Sequence, residues 1–286
     1  MIFAEGVLNP EGPVSLQGGG LLIVEGAASR GCITRLDGAG RIASVVARTG
    51  RPNGLALDRE GNIWAAESKT PALLRVRPAG EVETIATEFG GEPFLFPNDL
   101  CFGPDGAIYM TDSGVNISEF APNNQIRPDY ESIWYDGRVF RIDPKSGRVD
   151  LLDRGIRFAN GIAFGPDQRM YVSETVTGHV FQYEGGKRRV FCDVVAPDAA
   201  PGWKGPDGLA FDANGVLYAA VFGQGDVTAV RLDGGISHRI PTQGKLPTNV
   251  AFDVSQKRIY VTEYEFGRVE MFGIGASGVR LFDGAH

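Results

Sequence analysis

Along the chain, short apolar runs alternate with turn-forming residues, and one compound pattern of this kind recurs. It reads PNGLALDREGNIWAAES from Pro52, PNDLCFGPDGAIYMTDS from Pro97, ANGIAFGPDQRMYVSET from Ala159, PDGLAFDANGVLYAAVF from Pro206 and TNVAFDVSQKRIYVTEY from Thr248. A degenerate copy, EGPVSLQGGGLLIVEG, starts at Glu11. In each copy a short apolar strand (LALD, LCFG, IAFG, LAFD) runs into a turn rich in Gly, Asp and Pro. A second strand (IWAA, IYMT, MYVS, LYAA) then ends near an acidic or small polar residue. Alternation with β-branched and aromatic residues predicts strands, and DG or NG pairs predict tight hairpins. Two further amphipathic strands follow, such as LLRVRP and EVETIAT in the second unit.

The aligned second letters fall at 53, 98, 160, 207 and 249, so the gaps are 45, 62, 47 and 42, and Glu11 lies 42 before Asn53. That period is the size of a propeller blade. The prediction is an all-β six-bladed β-propeller with four-stranded antiparallel blades around a central channel, with residues 1–286 as one domain. Radial closure removes long exposed edges. A pair of β-sandwiches would leave the repeat unexplained. The N-terminal IFAEGV is expected to close the ring beside GVRLFDG in the last blade.

Register separates two copies of one string. GPDG occurs at 103–106 and again at 205–208. The first follows LCF and precedes AIYM, so it is the turn after the inner strand. The second precedes LAFD, so Asp207 opens an inner strand, as Asn53, Asn98 and Asn160 do. At a strand rise near 3.3 Å per residue, the two positions stand about 15–20 Å apart, on opposite faces of the disc. The strand openers Glu11, Asn53, Asn98, Asn160, Asp207 and Thr248–Asn249 all carry side-chain oxygen and converge on the channel. Two carboxylates with several carboxamides form a hard-oxygen set suited to Ca²⁺ or Mg²⁺, and Glu11 with Asp207 balances a divalent charge.

Composition narrows the setting. Forty glycines and 17 prolines fit many short elements joined by turns. A net charge of −7 disfavours nucleic acid or an anionic membrane as partner. No apolar run approaches a membrane span, and the N-terminus lacks a basic and apolar leader, so a cytoplasmic location is expected. Cys32, Cys101 and Cys192 are isolated and read as unpaired thiols. His179 and His238 fall in outer-strand contexts and His286 is terminal, which argues against histidine chemistry.

The motifs EGPV at Glu11–Val14, PND at Pro97–Asp99, ANG at Ala159–Gly161 and GPDGLAFD at Gly205–Asp212 resemble, in order and spacing, those of the regucalcin, gluconolactonase and luciferin-regenerating-enzyme family. The resemblance covers essentially the whole chain and is strongest toward bacterial gluconolactonase-type lactonases. It implies one divalent metal in the channel, calcium first, with Mg²⁺, Mn²⁺, Zn²⁺ or Fe²⁺ as alternatives. The implied ligands are Glu11, Asn160 and Asp207. Asn98 is implied to bind substrate or a metal-held water, or to join the ligands as in phosphotriesterase-like propellers. One position departs: where animal regucalcins place an arginine two residues before the ND asparagine, this chain has Phe96, which points toward a less polar lactone.

The implied activity is metal-dependent opening of a lactone ring, with a small-molecule lactone as substrate. Another ester or phosphotriester hydrolase on the same metal, or a non-enzymatic calcium-binding propeller, are the competing readings. Calcium acidifies water weakly, so a carboxylate base is expected. Asp207 is the first candidate and Asp112 the second; Asp99 is read as orienting Asn98, and Glu67 and Glu174 as solvated rim acids. Asn53, Asn98, Phe96, Trp134 and Trp203 are the expected substrate contacts. Two insertions, 113–137 and 193–205, fall on the metal face. Their aromatics Phe120, Trp134, Tyr135 and Trp203 either wall an apolar pocket or anchor the loops.

Overall fold

The structure, a computed structural model, describes residues 1–122 and 125–284. His286 and, in the longer insertion, Asn123 and Asn124 lie outside the described residues. Each copy of the repeat forms the inner half of a four-stranded antiparallel sheet. The inner strands are Pro10–Ser15, Pro52–Leu57, Pro97–Phe102, Ala159–Phe164, Gly205–Phe211 and Pro247–Phe252. Six such sheets make a six-bladed β-propeller, as the period predicted. The single α-helix among the described residues is Ile117–Phe120, inside the longer insertion. None of the described helices is long and apolar enough to cross a membrane.

The core is divided among the blade interfaces. Blades 1 and 2 share Val24, Ile33, Leu55 and Leu74, and blades 2 and 3 share Trp64, Leu73, Phe94 and Phe140. Blades 3 and 4 meet through Val139, Ile162 and Phe181, and blades 4 and 5 through Tyr171, Phe211 and Leu217. Blades 5 and 6 pack Tyr218 and Val250, and blade 6 returns to blade 1 through Tyr260, Leu21 and Ile23. Alternate residues of each strand serve opposite neighbours, which is why the apolar runs are nearly continuous rather than one-sided.

The ring closes differently from expectation. The N-terminal strand Ile2–Glu5 becomes the outermost strand of the sixth blade, but its partner is Arg268–Gly273, not GVRLFDG. Blade 6 has only three strands from the C-terminal side, and RVEMFG is the last of them, so its open edge takes the N-terminus. The GVRLFDG segment instead lies against the turn face. Val279 N donates to Phe211 O, Phe282 packs edge-on against Phe164 at 6.0 Å, and Arg59 N donates to Asp283 O. These contacts run along the turn face from blade 5 through blade 4 to blade 2.

The turns on that face share one device. An Asp accepts backbone N–H groups of its own turn and a bond from an aromatic of the second strand. Asp58 takes Trp64 Nε1 at 2.9 Å, Asp253 takes Tyr260 Oη at 2.8 Å, and Asp105 takes Ala107 N and Tyr109 Oη. Asp105 also pairs with Arg141 at 2.6 Å, so the first GPDG is a hairpin turn. Burial opposes ionisation of Asp253, yet bonds from Ser255, Tyr260 and Arg258 outweigh it and hold its carboxyl at about 2.

Candidate metal centre

On the opposite face each inner strand begins with a bulge. The register slips between Glu11 and Val14, Pro52 and Leu55, Pro97 and Leu100, Ala159 and Ile162, Pro206 and Leu209, and Pro247 and Asn249. A bulge sets two residues against one and re-aims a side chain. Asn53, Asn98, Asn160 and Asp207 occupy these bulges and are buried. The glycines that follow serve close approach, not turning. A Cβ at Gly54 would overlap the Asp99 carboxylate, at Gly161 the Asp207 backbone, and at Gly208 the Asn249 side chain.

The amides are oriented by the next strand. Asn160 Nδ2 donates to Thr175 Oγ1 at 3.0 Å, and Asn98 Nδ2 to Ser113 Oγ at 2.9 Å. Those hydroxyls in turn donate to the neighbouring blade, Thr175 to Pro206 O and Ser113 to Ala159 O, both at 2.9 Å. Asn53 Nδ2 donates to Asn98 Oδ1 at 2.9 Å, so Asn53 supports Asn98.

The site test lies in the oxygens left over. Of the four buried side-chain oxygens without a donor among the described residues, two are Glu11 Oε2 and Asn160 Oδ1. Both were expected ligands. Asp207 completes the set: burial, then the Glu11 and Asp99 charges, push its carboxyl well above the usual range, and the adjacent Asn160 amide pulls it back in part. Burial and the Asp99 charge raise Glu11 to about 8, against a lowering by Arg51 and the Gly12 N–H. Unpaired buried acceptors and mutually repelling carboxylates are what a hard cation relieves. The residues present therefore fit a divalent cation. Among the described residues no three His, Cys, Asp or Glu side chains form one ligand shell, so the set is two carboxylates plus carboxamide oxygen.

Asp99 does more than adjoin Asn98. Its carboxyl reaches the channel, where burial raises it to about 6 against bonds from Leu100 N, Ile162 N and Asn249. Arg51 and Tyr264 were missed. Burial lowers the Arg51 pKa, and the nearby Tyr264, Glu11 and Glu67 act against that; its guanidinium lies 5.1 Å from the Phe96 ring centroid. The residue two before each opener carries the signal: Arg51, Phe96 and Phe158 line one register position.

Asp112 takes a different part. Its buried carboxylate accepts Leu95 N, Phe96 N and Gly114 N and pairs with Arg138 at 2.9 Å, so no oxygen is free to act as base. The same clamp recurs. Glu25 binds Leu8 N, Glu67 binds Arg51 N, Glu174 binds Arg157 N and Glu263 binds Leu246 N, each tying a second strand to the chain entering the inner strand. Glu67 and Glu174 are buried clamps and not solvated rim acids. The reason is local: strand end and strand start meet there, and the entering N–H groups need acceptors.

The insertion aromatics are mostly anchors. Phe120 and Phe158 pack on Trp203 at 5.1 and 5.0 Å, and Phe96 on Phe158 at 5.8 Å, with Tyr135 in the same buried cluster. Trp134, expected as a substrate contact, is 84% exposed and outside that cluster, because Tyr135 takes the inward position next to it.

Fold and site together define a class: six-bladed propellers with an oxygen-lined channel centre able to hold a hard cation. Residues 10–265 match the family model described as SMP-30/Gluconolactonase/LRE-like region. The chain belongs to that family. It is 35% identical over 125 residues to a gluconolactonase of Zymomonas mobilis, covering 43% of this chain and 33% of that one. It is 27% identical to the diisopropyl-fluorophosphatase of Loligo vulgaris, over 82% of this chain and 75% of that one. A solved regucalcin from Agrobacterium tumefaciens, titled a calcium-binding protein, superposes with a TM-score of 0.78 at 22% identity, covering 98% and 95%. Apart from the Loligo protein, the chain spans 31% to 56% of the length of these curated relatives and of the plant and fish proteins it also matches.

Proposed function

We propose that this protein is a metal-dependent lactonase that hydrolyses the ring ester of a small-molecule lactone at the channel centre. One observation carries the reading: Glu11 Oε2 and Asn160 Oδ1 are buried without donors beside the Asp207 carboxylate. Family membership and the gluconolactonase likeness support the choice of a lactone. Glu11, Asn160 and Asp207 would hold the ion, with Asn98 as a further oxygen donor, and calcium suits that set best. Such an ion polarises an acyl oxygen and acidifies water.

The chain's own part is positioning and proton transfer. Asn53 fixes Asn98, Thr175 fixes Asn160, and the glycines let the blades approach closely enough for these groups to meet. Asp207 takes a proton from water as the new C–O bond forms at the acyl carbon. The acyl carbon–ring oxygen bond then breaks, and that proton passes to the ring oxygen, leaving a hydroxy acid.

The likeness to a fluorophosphatase over most of the chain supports a second reading, phosphotriester hydrolysis on the same centre. A pH-stat screen of aldono-, alkyl- and aryl-lactones and a fluorophosphate, with and without chelator, separates the two. Asp207→Asn is expected to abolish turnover while Asp105→Asn leaves it near normal. Equal loss in both refutes the register that sets Asp207 at the centre and Asp105 in the far turn; no turnover of any lactone with Ca²⁺, Mg²⁺, Mn²⁺ or Zn²⁺ refutes the lactonase reading.

A further inference from the structure

Among the described residues both buried arginines are neutralised, whereas half-buried Arg51 is not. Arg138 meets Asp112 at 2.9 Å, Arg268 meets Glu270 at 3.4 Å, and partly exposed Arg30 meets Glu25 at 2.6 Å. Arg51 is the contrast. Among the described residues it has no carboxylate within ion-pair distance, and its side chain makes one hydrogen bond, Nη1 to Ser68 Oγ at 2.9 Å. A guanidinium carries five N–H donors in a planar fork. Four are unspent, on a side chain that burial already disfavours as a cation.

Its position explains what the donors face. The guanidinium carbon lies 5.1 Å from the centroid of the Phe96 ring, a cation–π contact. The charged or polar groups that act on it are Tyr264, Glu11 and Glu67; Glu67 Oε1 accepts the Arg51 and Lys69 N–H groups, while its Oε2 is buried without a donor and lies beyond ion-pair distance of the guanidinium. Arg51 therefore stands at the start of a bulged inner strand, on the face of the strand openers, within the electrostatic reach of Glu11, one expected ligand of the metal centre. A free cation there attracts an anionic or partly anionic oxygen that the carboxylates would repel.

We propose that Arg51 is a substrate-contacting residue that binds the acyl oxygen of the lactone as negative charge develops on it, and then the carboxylate of the opened product. This rests on the lactonase reading for the forward reaction, but product recognition can be measured without turnover. Phe96 and Tyr264 flank the guanidinium, so the fitting ligand is a carboxylate with an apolar or aryl flank in place of a polyhydroxylated chain.

The test is calorimetric titration of the Ca²⁺-loaded full-length protein with 3-(2-hydroxyphenyl)propionate, the opened form of dihydrocoumarin, and with its neutral primary amide. Arg51→Gln is expected to weaken carboxylate binding about 10- to 100-fold, the range of a lost charge-assisted pair, and amide binding less than threefold. Arg51→Lys, which keeps the charge but not the fork, should fall between. With dihydrocoumarin as substrate, kcat/KM should fall by a similar factor. The proposal is overturned if wild-type protein does not bind the carboxylate at millimolar concentration. It is also overturned if Arg51→Gln binds it within twofold of wild type, or if carboxylate and amide binding fall together with melting temperature. Arg51-dependent carboxylate binding in a protein that opens no lactone sinks the lactonase reading, and with it the acyl-oxygen role, and leaves Arg51 as a carboxylate-binding residue.

Discussion

Removing divalent metal and raising the pH should destabilise this protein in a way that identifies its centre. Glu11 has its folded pKa raised from 4.5 to about 8, by burial first and then by the Asp99 charge. A carboxyl raised in the folded state contributes stability that is complete below its unfolded value and is lost as pH climbs through the folded one. The window is therefore pH 4.5 to 8. About 3.5 pH units at about 1.4 kcal/mol each sets a ceiling of about 5 kcal/mol, of which about 4 falls between pH 5 and 8.5. For 286 residues this is about 7 °C of melting temperature. Asp207 and Asp99 are raised in the same sense and add to the trend. The assay is differential scanning calorimetry across pH 5–8.5, in chelator and in millimolar CaCl₂. Calcium should flatten the decline, because it binds the ionised pair, and Asp207→Asn should make the metal-free decline shallower by removing a repelling charge. A metal-free stability that is flat or rising across this range would falsify the convergence of unrelieved carboxylates on the channel.

Two further outcomes test the structural roles. Asp112→Asn leaves Arg138 buried without its charge partner, a loss of about 3–5 kcal/mol, so melting temperature should fall by several degrees; a fully stable variant with turnover lost a hundredfold would return Asp112 to candidacy as base. Asp253, held at about 2 against an ordinary 3.8, contributes about 2 kcal/mol that is present above pH 3.8 and disappears as pH falls through 2. Acid unfolding of Asp253→Asn should accordingly begin at higher pH than in wild type, and an unchanged acid limb would show that the turn bonds do not stabilise the fold.

The sequence alone determined the architecture and the register. Strand periodicity, DG and NG turns and a repeat of blade length are local properties, and together they admit one closed ring. Register then placed Asp105 and Asp207 on opposite faces although both sit in GPDG. Other features depend on what the ring brings together. Whether an acidic residue ending a second strand is solvated or buried depends on the chain that enters beside it. That is why Glu67, Asp112 and Glu174 emerged as clamps on backbone N–H groups. The partner of the N-terminal strand depends on which edge of blade 6 stays open, and GVRLFDG was equally apolar. The orientation of an amide follows from a hydroxyl in another strand, so only the tertiary structure left Asn160 Oδ1 unpaired. Arg51 shows the same limit most sharply: its sequence neighbours say turn, and only the assembled mouth sets it on Phe96 beside Glu11 without an ion-pair partner.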